Sequence, residues 1–288
     1  PAVMQRVQSA IAEIEPHDSV ERYTQLGVDC IQGEARIVSP WQVKVNGQTL
    51  TARNLVMATG ATPLIPPIKG IEHINYYTSD NLWQLREKPQ RMVVLGGGPI
   101  GCELSQAFAR LGVNITQVEM ASRLLLNEDK DVSDLITQQF HQEGIKVLTD
   151  HKALEIKTSD GRHTLICEHN GQQSGIEFDA LLVATGRKAS TQGFGLEQVG
   201  VELNHNGTIK VNEYLQSTVP SIYACGDVAG PYQFTHMAAH QAWYAAVNSL
   251  FGKLKRFKVD YRVVPWTTFT SPEVARVGLN EQERSEEH

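Results

Sequence analysis

The feature that most constrains the fold is a glycine-rich turn between an apolar run and a helical pattern. Residues Gly96 to Gly101 read GGGPIG and follow the apolar run Met92 to Leu95 directly. Glu119 lies 18 residues beyond the last of these glycines, after a second predicted strand from Asn114 to Val118. A strand, a glycine turn, a helix, a second strand and an acidic residue, in this order, are typical of a βαβ unit that binds a dinucleotide.

Each part of the turn has a physical reason for its residue type. The first glycine permits the tight turn, the second lets the backbone approach a pyrophosphate, and the third lets helix and strand pack closely. The helix N-terminus offers free N–H groups and positive partial charge to that pyrophosphate. A glycine turn alone can serve backbone geometry only, but its context favours dinucleotide binding. We therefore predict an NAD site made by Gly96, Gly98, Pro99, Ile100, Gly101, Glu119 and Gly186.

The choice between NAD and NADP depends on Glu119. Its carboxylate can accept a hydrogen bond from the adenosine ribose 2′-hydroxyl, whereas a 2′-phosphate would meet a like charge. Arg123 follows closely and weakens this preference, although an exposed arginine at a helix start is an equally good interpretation. The sequence thus favours NAD and leaves NADP open.

Composition excludes several classes of function. The chain has 288 residues, 41% of them hydrophobic, which suits one large or two ordinary domains. Its 26 basic and 32 acidic residues give a net charge of -6, so we predict no nucleic-acid partner. Glycine and proline interrupt every long apolar run, so the sequence predicts no membrane span and a cytoplasmic protein, and it leaves a membrane segment upstream open. The 4 cysteines are widely separated and are expected to be small buried hydrophobes.

Patterns along the chain predict its other elements. Val3, Val7, Ile11 and Ile14 indicate a helix that stops at Pro16. Turn dipeptides predict hairpins at Asn46-Gly47, Asp160-Gly161 and Asn170-Gly171. Strands are predicted at Val28 to Ile31, Ala35 to Val38, Asn54 to Ala58, Lys146 to Leu148, Ala180 to Ala184, Ile209 to Val211 and Ile222 to Cys225, and helices over Val132 to Phe140 and Thr235 to Leu250.

One sequence pattern occurs twice. Residues Leu55 to Gly60 and Leu181 to Gly186 both read as an apolar strand that ends on threonine and glycine. Each is consistent with a strand whose carboxyl end meets a nucleotide. Two nucleotide-binding sheets are therefore predicted in one chain.

Three further positions have competing interpretations. Glu103 by itself reads as an acidic residue near the positive end of a helix. Asp227, after an apolar strand, reads either as a turn residue or as the carboxylate that grips a ribityl or ribose hydroxyl. His236 and His240 share one helix face, but no glutamate follows the first and no third ligand is near. We predict no metal site, and expect helix packing with one histidine at a cofactor edge.

Taken together, the chain resembles the flavoprotein disulfide reductases, which include dihydrolipoamide dehydrogenase, glutathione reductase and mercuric reductase. The resemblance rests on Ala58 to Gly60, Gly96 to Glu103, Val118-Glu119, Ala184 to Arg187, Ile222 to Asp227 and Phe269 to Ala275. The runs Phe234 to Ala238 and Val264 to Phe269 look most like the mercuric-reductase-like branch.

This resemblance implies an α/β fold with two Rossmann-like domains. An incomplete FAD-binding domain is interrupted by an inserted NAD(P)-binding domain, and an α+β interface domain that forms a homodimer begins after them. The implied bounds are 1–75 and 191–255 for the FAD domain, 76–190 for the NAD(P) domain and 256–288 for the start of the dimerisation domain.

The resemblance also assigns residues to cofactors. The residues implied to contact FAD are Thr59, Gly60, Arg187, Gly226, Asp227, Met237 and Ala238. Glu103 would pair with a lysine near the flavin nitrogen that takes hydride, which makes it a residue of the flavin and nicotinamide site. These implications override the local interpretations of Glu103 and Asp227.

The departures from the family pattern are equally informative. The family's first glycine motif for FAD, its Cys-x4-Cys pair, the flavin-site lysine and the His-Glu acid–base pair are not in this sequence. No catalytic residue is therefore assigned. The resemblance implies a central fragment that is inactive alone and binds FAD weakly or not at all. The whole protein would pass hydride from NADH to FAD and on to a disulfide, a metal ion or another acceptor. Two alternatives stay open: a non-catalytic nucleotide-binding module, and an NADH oxidase or transhydrogenase-like flavoprotein without a redox disulfide.

Overall fold

A computed structural model describes residues 2–280 and 283–284. The helices are α1 (Ala2–Ile14), α2 (Val20–Gln25), α3 (Pro99–Arg110), α4 (Lys130–Gln142) and α5 (Thr235–Phe251). The strands are β1 (Arg36–Ser39), β2 (Gln42–Val45), β3 (Gln48–Thr51), β4 (Leu55–Met57), β5 (Ala61–Pro63), β6 (Arg91–Leu95), β7 (Asn114–Val118), β8 (Lys146–Leu148), β9 (Lys152–Ser159), β10 (Arg162–His169), β11 (Gln172–Phe178), β12 (Ala180–Val183), β13 (Arg187–Ala189), β14 (Ile222–Ala224), β15 (Pro265–Thr268) and β16 (Val274–Val277).

The chain divides into two compact units, which are described separately. Unit 1 contains the residues up to Glu13, Pro63–Gly186, and the residues from Pro265 onward. Unit 2 contains Ile14–Thr62 and Arg187–Val264. The sequence places divisions at 75, 190 and 255 instead, and the assignment of each domain to a cofactor stays a prediction.

Unit 1 is built around a four-stranded parallel sheet in the order β12-β6-β7-β8. Helix α3 connects β6 to β7, and α4 connects β7 to β8. The antiparallel strands β9, β10 and β11 lead from β8 back to β12. Numbered along the chain from β6, these strands have the order 3-2-1-4, which is found in doubly wound α/β sheets, so the predicted α/β fold is confirmed.

Strand β6 is buried on both faces, which explains its unbroken apolar run. Met92 and Val94 pack into a core that includes Phe140, whereas Val93 and Leu95 pack into a second core that includes Phe178. Successive side chains of a strand point to opposite faces, so the two pairs necessarily separate. A strand covered on both faces shows no polar alternation.

The predicted hairpin turns all form. At Asn46-Gly47, Asp160-Gly161 and Asn170-Gly171 both residues have positive φ, with values of 49° and 80°, 50° and 74°, and 50° and 76°. These are the left-handed conformations that a type I′ turn needs, and asparagine, aspartate and glycine adopt them at low cost.

Unit 2 contains the parallel pair β4 and β14, the antiparallel sheet of β1, β2 and β3, and the pair β5 and β13. Its core includes Ile37, Met57, Ile209 and Ile222. Helix α5 buries the face formed by Met237, Gln241, Ala245 and Asn248.

Two predicted strands are wrong. Val28 to Ile31 is not a strand, because Gly27 has a φ of 87° and the Val28 N–H donates to the Tyr23 carbonyl at 3.0 Å. This arrangement ends α2 in the manner of a glycine C-cap. The run from Ile209 makes only isolated bridges, since the Ile209 N–H donates to the Val228 carbonyl at 2.8 Å. Short apolar runs do not by themselves distinguish strands from buried loops.

No helix in the described part of the chain combines the length and the apolar character that a bilayer crossing requires.

Candidate functional site

Two positions in the turn after β6 must be glycine, because a Cβ atom there would clash with the protein's own backbone. Gly96 has a φ of 112°, and a Cβ atom there would lie 2.2 Å from the Ala184 carbonyl oxygen. A Cβ atom on Gly101 would lie 2.2 Å from the Gly96 carbonyl oxygen. Neither distance is possible, so the tight turn and the close helix–strand approach predicted from the sequence both depend on glycine.

Gly98 has a different environment. It precedes α3 with a φ of −76°, which any residue adopts, and no heavy atom lies within 4 Å of a Cβ built on it. The space in front of this residue is open and faces the start of α3, where Pro99 and Ile100 form the first turn. Open space at a helix N-terminus is suited to an anionic group such as a pyrophosphate. Gly186 likewise has no heavy atom near a built Cβ.

Glu119 connects the glycine turn to the loop after β7. Its Oε2 accepts the Gly97 N–H at 2.5 Å and its Oε1 accepts the Ala121 N–H at 2.6 Å. The half-buried carboxylate is therefore held in one orientation. Each carboxylate oxygen can accept a further hydrogen bond, so a ribose hydroxyl can bind without displacing either amide.

Arg123 makes a hydrogen bond within its own loop. Its guanidinium donates to the Leu126 carbonyl at 2.8 Å, which stabilises the loop that follows β7. Arg123 is half-buried in this loop and α4 begins only at Lys130, so the interpretation of Arg123 as an exposed arginine at a helix start is wrong. Its part in nucleotide choice stays a prediction.

Helix α3 also holds a loop from the C-terminal part of unit 1. Glu103 Oε1 accepts the Phe269 N–H at 2.8 Å. Burial raises the pKa of the Glu103 carboxyl, and the Phe269 N–H opposes that rise. Gln106 accepts the Ser271 N–H at 2.7 Å and donates to the Ser271 carbonyl at 2.9 Å. Glu103 and Gln106 lie three positions apart on one helix face, which is the signal that could have identified Gln106. The flavin-site role of Glu103 stays a prediction.

In unit 2 the predicted flavin residues come together at one edge of a sheet. Thr59 and Gly60 follow β4, and Gly226 and Asp227 follow β14. These strands are parallel, so their carboxyl ends meet at the same edge. Arg187 Nε lies 3.6 Å from Asp227 Oδ2, which adds Arg187 to the same cluster.

Backbone hydrogen bonds fix the segment after β4 within this cluster. The Thr59 hydroxyl donates to the Ser190 carbonyl at 2.7 Å, and the Ser190 N–H donates to the Gly60 carbonyl at 2.9 Å. The Arg187 guanidinium donates to the Ala61 carbonyl at 2.5 Å. A half-buried carboxylate at the carboxyl edge of parallel strands can accept hydrogen bonds from the hydroxyls of a polyol chain.

The first turn of α5 completes the cluster. Gly226 has a φ of 77°, and a Cβ on it would lie 3.3 Å from Ala238 Cβ, so the backbone approaches the helix closely. Met237 is buried beside this contact.

Gln241 is a residue that sequence reasoning missed. Its Oε1 accepts the Gly226 N–H at 2.6 Å, and its Nε2 donates to the Gly230 carbonyl at 2.7 Å and to the Tyr261 hydroxyl at 2.8 Å. The sequence carried no clear signal for it, because the same buried face of α5 also contains the polar residue Asn248. Gln241 positions the loop that carries Asp227.

Replacement of Gln241 by leucine is expected to lower the free energy of unfolding by about 2 kcal/mol, because the buried Gly226 N–H and Gly230 carbonyl lose their partner. Urea unfolding followed by circular dichroism measures this change. The matched control is Gln198→Leu, an exposed glutamine of the same unit. Equal unfolding midpoints for the two variants would contradict the assignment.

Three of the cysteines are buried. Burial raises the pKa of the Cys102 thiol to about 12 and that of Cys167 to about 11, and it also raises the pKa of Cys225. Cys30 is half-buried, and all four are free thiols. The environment of the three buried residues agrees with the predicted role of small apolar side chains.

The histidines on α5 make separate contacts. The His236 ring stacks on Phe234 with centroids 5.4 Å apart, whereas His240 Nε2 lies 3.1 Å from the Asp260 carbonyl. Within the residues that the structure describes, no group of three or more His, Cys, Asp and Glu side chains is arranged to hold a metal ion.

Comparisons with known proteins agree with this geometry. The family model described as pyridine nucleotide-disulphide oxidoreductase matches residues 3–243. The chain is 39% identical to the mercuric reductase of Staphylococcus aureus over 93% of this chain and 48% of that protein. It is 37% identical to the dihydrolipoyl dehydrogenase of Thermus scotoductus over 89% of this chain and 55% of that protein. The chain thus spans about half the length of these relatives.

A solved structure is similar over nearly the whole chain. The HOCl-induced flavoprotein disulfide reductase RclA from Escherichia coli superposes with a TM-score of 0.88 at 28% sequence identity. The match covers 98% of this chain and 64% of that protein.

Proposed function

Because the chain belongs to the pyridine nucleotide-disulphide oxidoreductase family, we propose that it binds the cofactors of an FAD-dependent NAD(P)H oxidoreductase. In the whole protein, hydride passes from NADH to FAD and on to a disulfide, a metal ion or another acceptor. The observation that carries the proposal is the open space at Gly98, beside the start of α3 and next to the carboxylate of Glu119.

On the nucleotide side, the chain's own residues bind and orient. The amides at the start of α3 and the open backbone at Gly98 bind the pyrophosphate, and Glu119 accepts the ribose hydroxyl. Gly96 and Gly101 make this approach sterically possible. NADH is preferred over NADPH, because a 2′-phosphate would lie beside the Glu119 carboxylate.

On the flavin side, the proposed contacts are Thr59, Gly60, Arg187, Gly226, Asp227, Met237 and Ala238. Asp227 accepts hydrogen bonds from ribityl hydroxyls, and its ion pair with Arg187 orients that carboxylate. When bound, the nicotinamide and the flavin supply the redox chemistry, while the protein supplies position and electrostatics.

The electron acceptor of the whole protein is proposed only by chemical class: a disulfide, a metal ion or another acceptor. Three relatives, named mercuric reductase, dihydrolipoyl dehydrogenase and glutathione reductase, are 39%, 37% and 34% identical to the chain. The names of these relatives refer to different electron acceptors. Similarity to all three therefore supports the part of the proposed reaction that involves the nucleotide and the flavin. A homodimer of the whole protein is part of the proposal.

Calorimetric titration with NADH and with NADPH tests the nucleotide site. We expect NADH to bind more tightly, and Glu119→Ala to weaken NADH binding roughly tenfold, since a hydrogen bond to a charged group is lost. Glu119→Gln keeps an acceptor but removes the charge, so it should bind NADPH more tightly than the original protein does. Glu87→Ala is the matched control, because it removes an exposed carboxylate elsewhere in unit 1.

Binding of neither nucleotide by protein with the expected circular dichroism would refute the proposal. If both Glu119 variants prefer NADH over NADPH as strongly as the original protein does, the preference comes from other residues. That outcome would contradict the role given to Glu119 but not the proposal that the chain binds a nucleotide.

A further inference from the structure

Two histidines of unit 1 form a stacked pair. The rings of His151 and His169 have centroids 4.4 Å apart and planes inclined by 11°. His151 follows β8, and His169 is the last residue of β10. Both side chains are half-buried, so the pair presents part of its surface to solvent.

Hydrogen bonds to the backbone hold both rings in place. His151 Nδ1 lies 2.6 Å from the Thr149 carbonyl oxygen, and His169 Nδ1 lies 3.0 Å from the Asp150 carbonyl oxygen. A carbonyl oxygen only accepts, so each Nδ1 carries the hydrogen and donates it. The Asn170 amide donates to His169 Nε2 at 2.9 Å. The stack is therefore ordered before any ligand binds.

The stack lies beside the residue proposed to bind the adenosine ribose. Strands β7 and β8 are parallel neighbours, so Glu119 and the segment Thr149 to His151 leave the sheet at the same edge. The His151 N–H donates to the Glu119 carbonyl at 3.0 Å, and the Asp150 N–H donates to the Ala121 carbonyl at 2.9 Å. The two loops are thus hydrogen-bonded to each other directly.

We propose that the His151–His169 stack forms one wall of the adenine subsite, with the His151 ring stacked on the base. The inference rests on the proposed nucleotide-binding function and deepens it. The base is attached to the ribose carbon next to the 2′-hydroxyl, so a ribose bound at Glu119 brings adenine within the reach of a neighbouring side chain. A planar ring that is already oriented loses little conformational freedom when a base stacks on it.

The test compares ligands that contain adenosine with one that does not. We expect His151→Ala to weaken binding of NADH and of ADP-ribose about tenfold, a typical cost of losing one base–aromatic stack. Binding of reduced nicotinamide mononucleotide, which has no adenosine, should not change. His151→Phe keeps a planar ring and should restore most of the affinity for NADH.

His163→Ala is the matched control, since it removes an imidazole that stacks on Phe178 with centroids 5.6 Å apart, near the opposite end of β10. If His151→Ala has no more effect than this control while Glu119→Ala weakens NADH binding, the stack is not an adenine wall and the proposed function stands. If His151→Ala weakens the mononucleotide equally, its role is structural and the inference is overturned. If the original protein binds none of the ligands, the proposed function fails as well.

Discussion

Replacement of Gly98 by alanine should weaken NADH binding roughly a hundredfold, about 2.7 kcal/mol, without disturbing the fold. The added methyl group meets no protein atom within 4 Å, and the φ of −76° suits alanine. The only thing it can obstruct is a ligand that approaches the backbone. A substitution at Gly98 therefore tests NADH binding independently of the stability of the fold.

Calorimetry with NADH, together with urea unfolding of the same preparation, measures both quantities. Stability should be unchanged or slightly higher, because alanine restricts the unfolded chain more than glycine does. Gly175→Ala is the control for NADH binding, since this glycine lies on β11, away from the turn. Its stability should fall, because a Cβ there would lie 2.9 Å from Thr164 Cγ2. Normal NADH binding by Gly98→Ala would mean that the pyrophosphate does not lie against this turn.

Replacement of Gly96 by alanine should act mainly on the stability of the fold, whereas Gly98→Ala acts mainly on NADH binding. A φ of 112° is strained for alanine, and its Cβ would lie 2.2 Å from the Ala184 carbonyl oxygen, a backbone atom that cannot rotate away. We expect the free energy of unfolding to fall by about 3 kcal/mol, the combined cost of backbone strain and overpacking.

Urea unfolding followed by circular dichroism measures this loss, and Gly98→Ala serves as the matched comparison in the same turn. Because the separation between β6 and β12 would have to increase, NADH affinity should fall as well. A Gly96→Ala protein with an unfolding midpoint equal to that of Gly98→Ala would show that the turn relaxes at no cost, which contradicts the close approach at Ala184.

Much of unit 1 is predictable from sequence because its signals are local. The bounds of β7 and β8 agree with the predicted runs, and the turn chemistry at Asp160 and Asn170 determines the hairpins of the antiparallel sheet. An apolar run, a left-handed turn residue and a helical repeat each express a backbone preference within a few neighbouring residues. Such preferences do not require knowledge of the rest of the fold.

Apart from the wrong strand at Val28, which reflects a local helix cap, the errors and omissions involve contacts between distant segments. Ile209 is apolar and extended, but its N–H bonds to Val228 and not to a strand. Gln106 binds Ser271, which is 165 positions away in the chain. Gln241 is detected only by the burial of its amide against Gly226 and Gly230. No local pattern predicts which distant backbone group a buried amide will satisfy.

By itself, the sequence determined the βαβ unit, its glycine turn, the acidic residue after β7 and the repeated Thr-Gly motif, since these follow from local conformation and residue spacing. Only the tertiary structure decided that Gly96 and Gly101 serve the protein's own backbone while Gly98 faces open space. It also brought His151, in the connection after β8, against His169 at the end of β10. The physical reason is that close approach depends on how strands and helices pack in three dimensions, and packing joins residues whose separation along the chain carries no information about their contact.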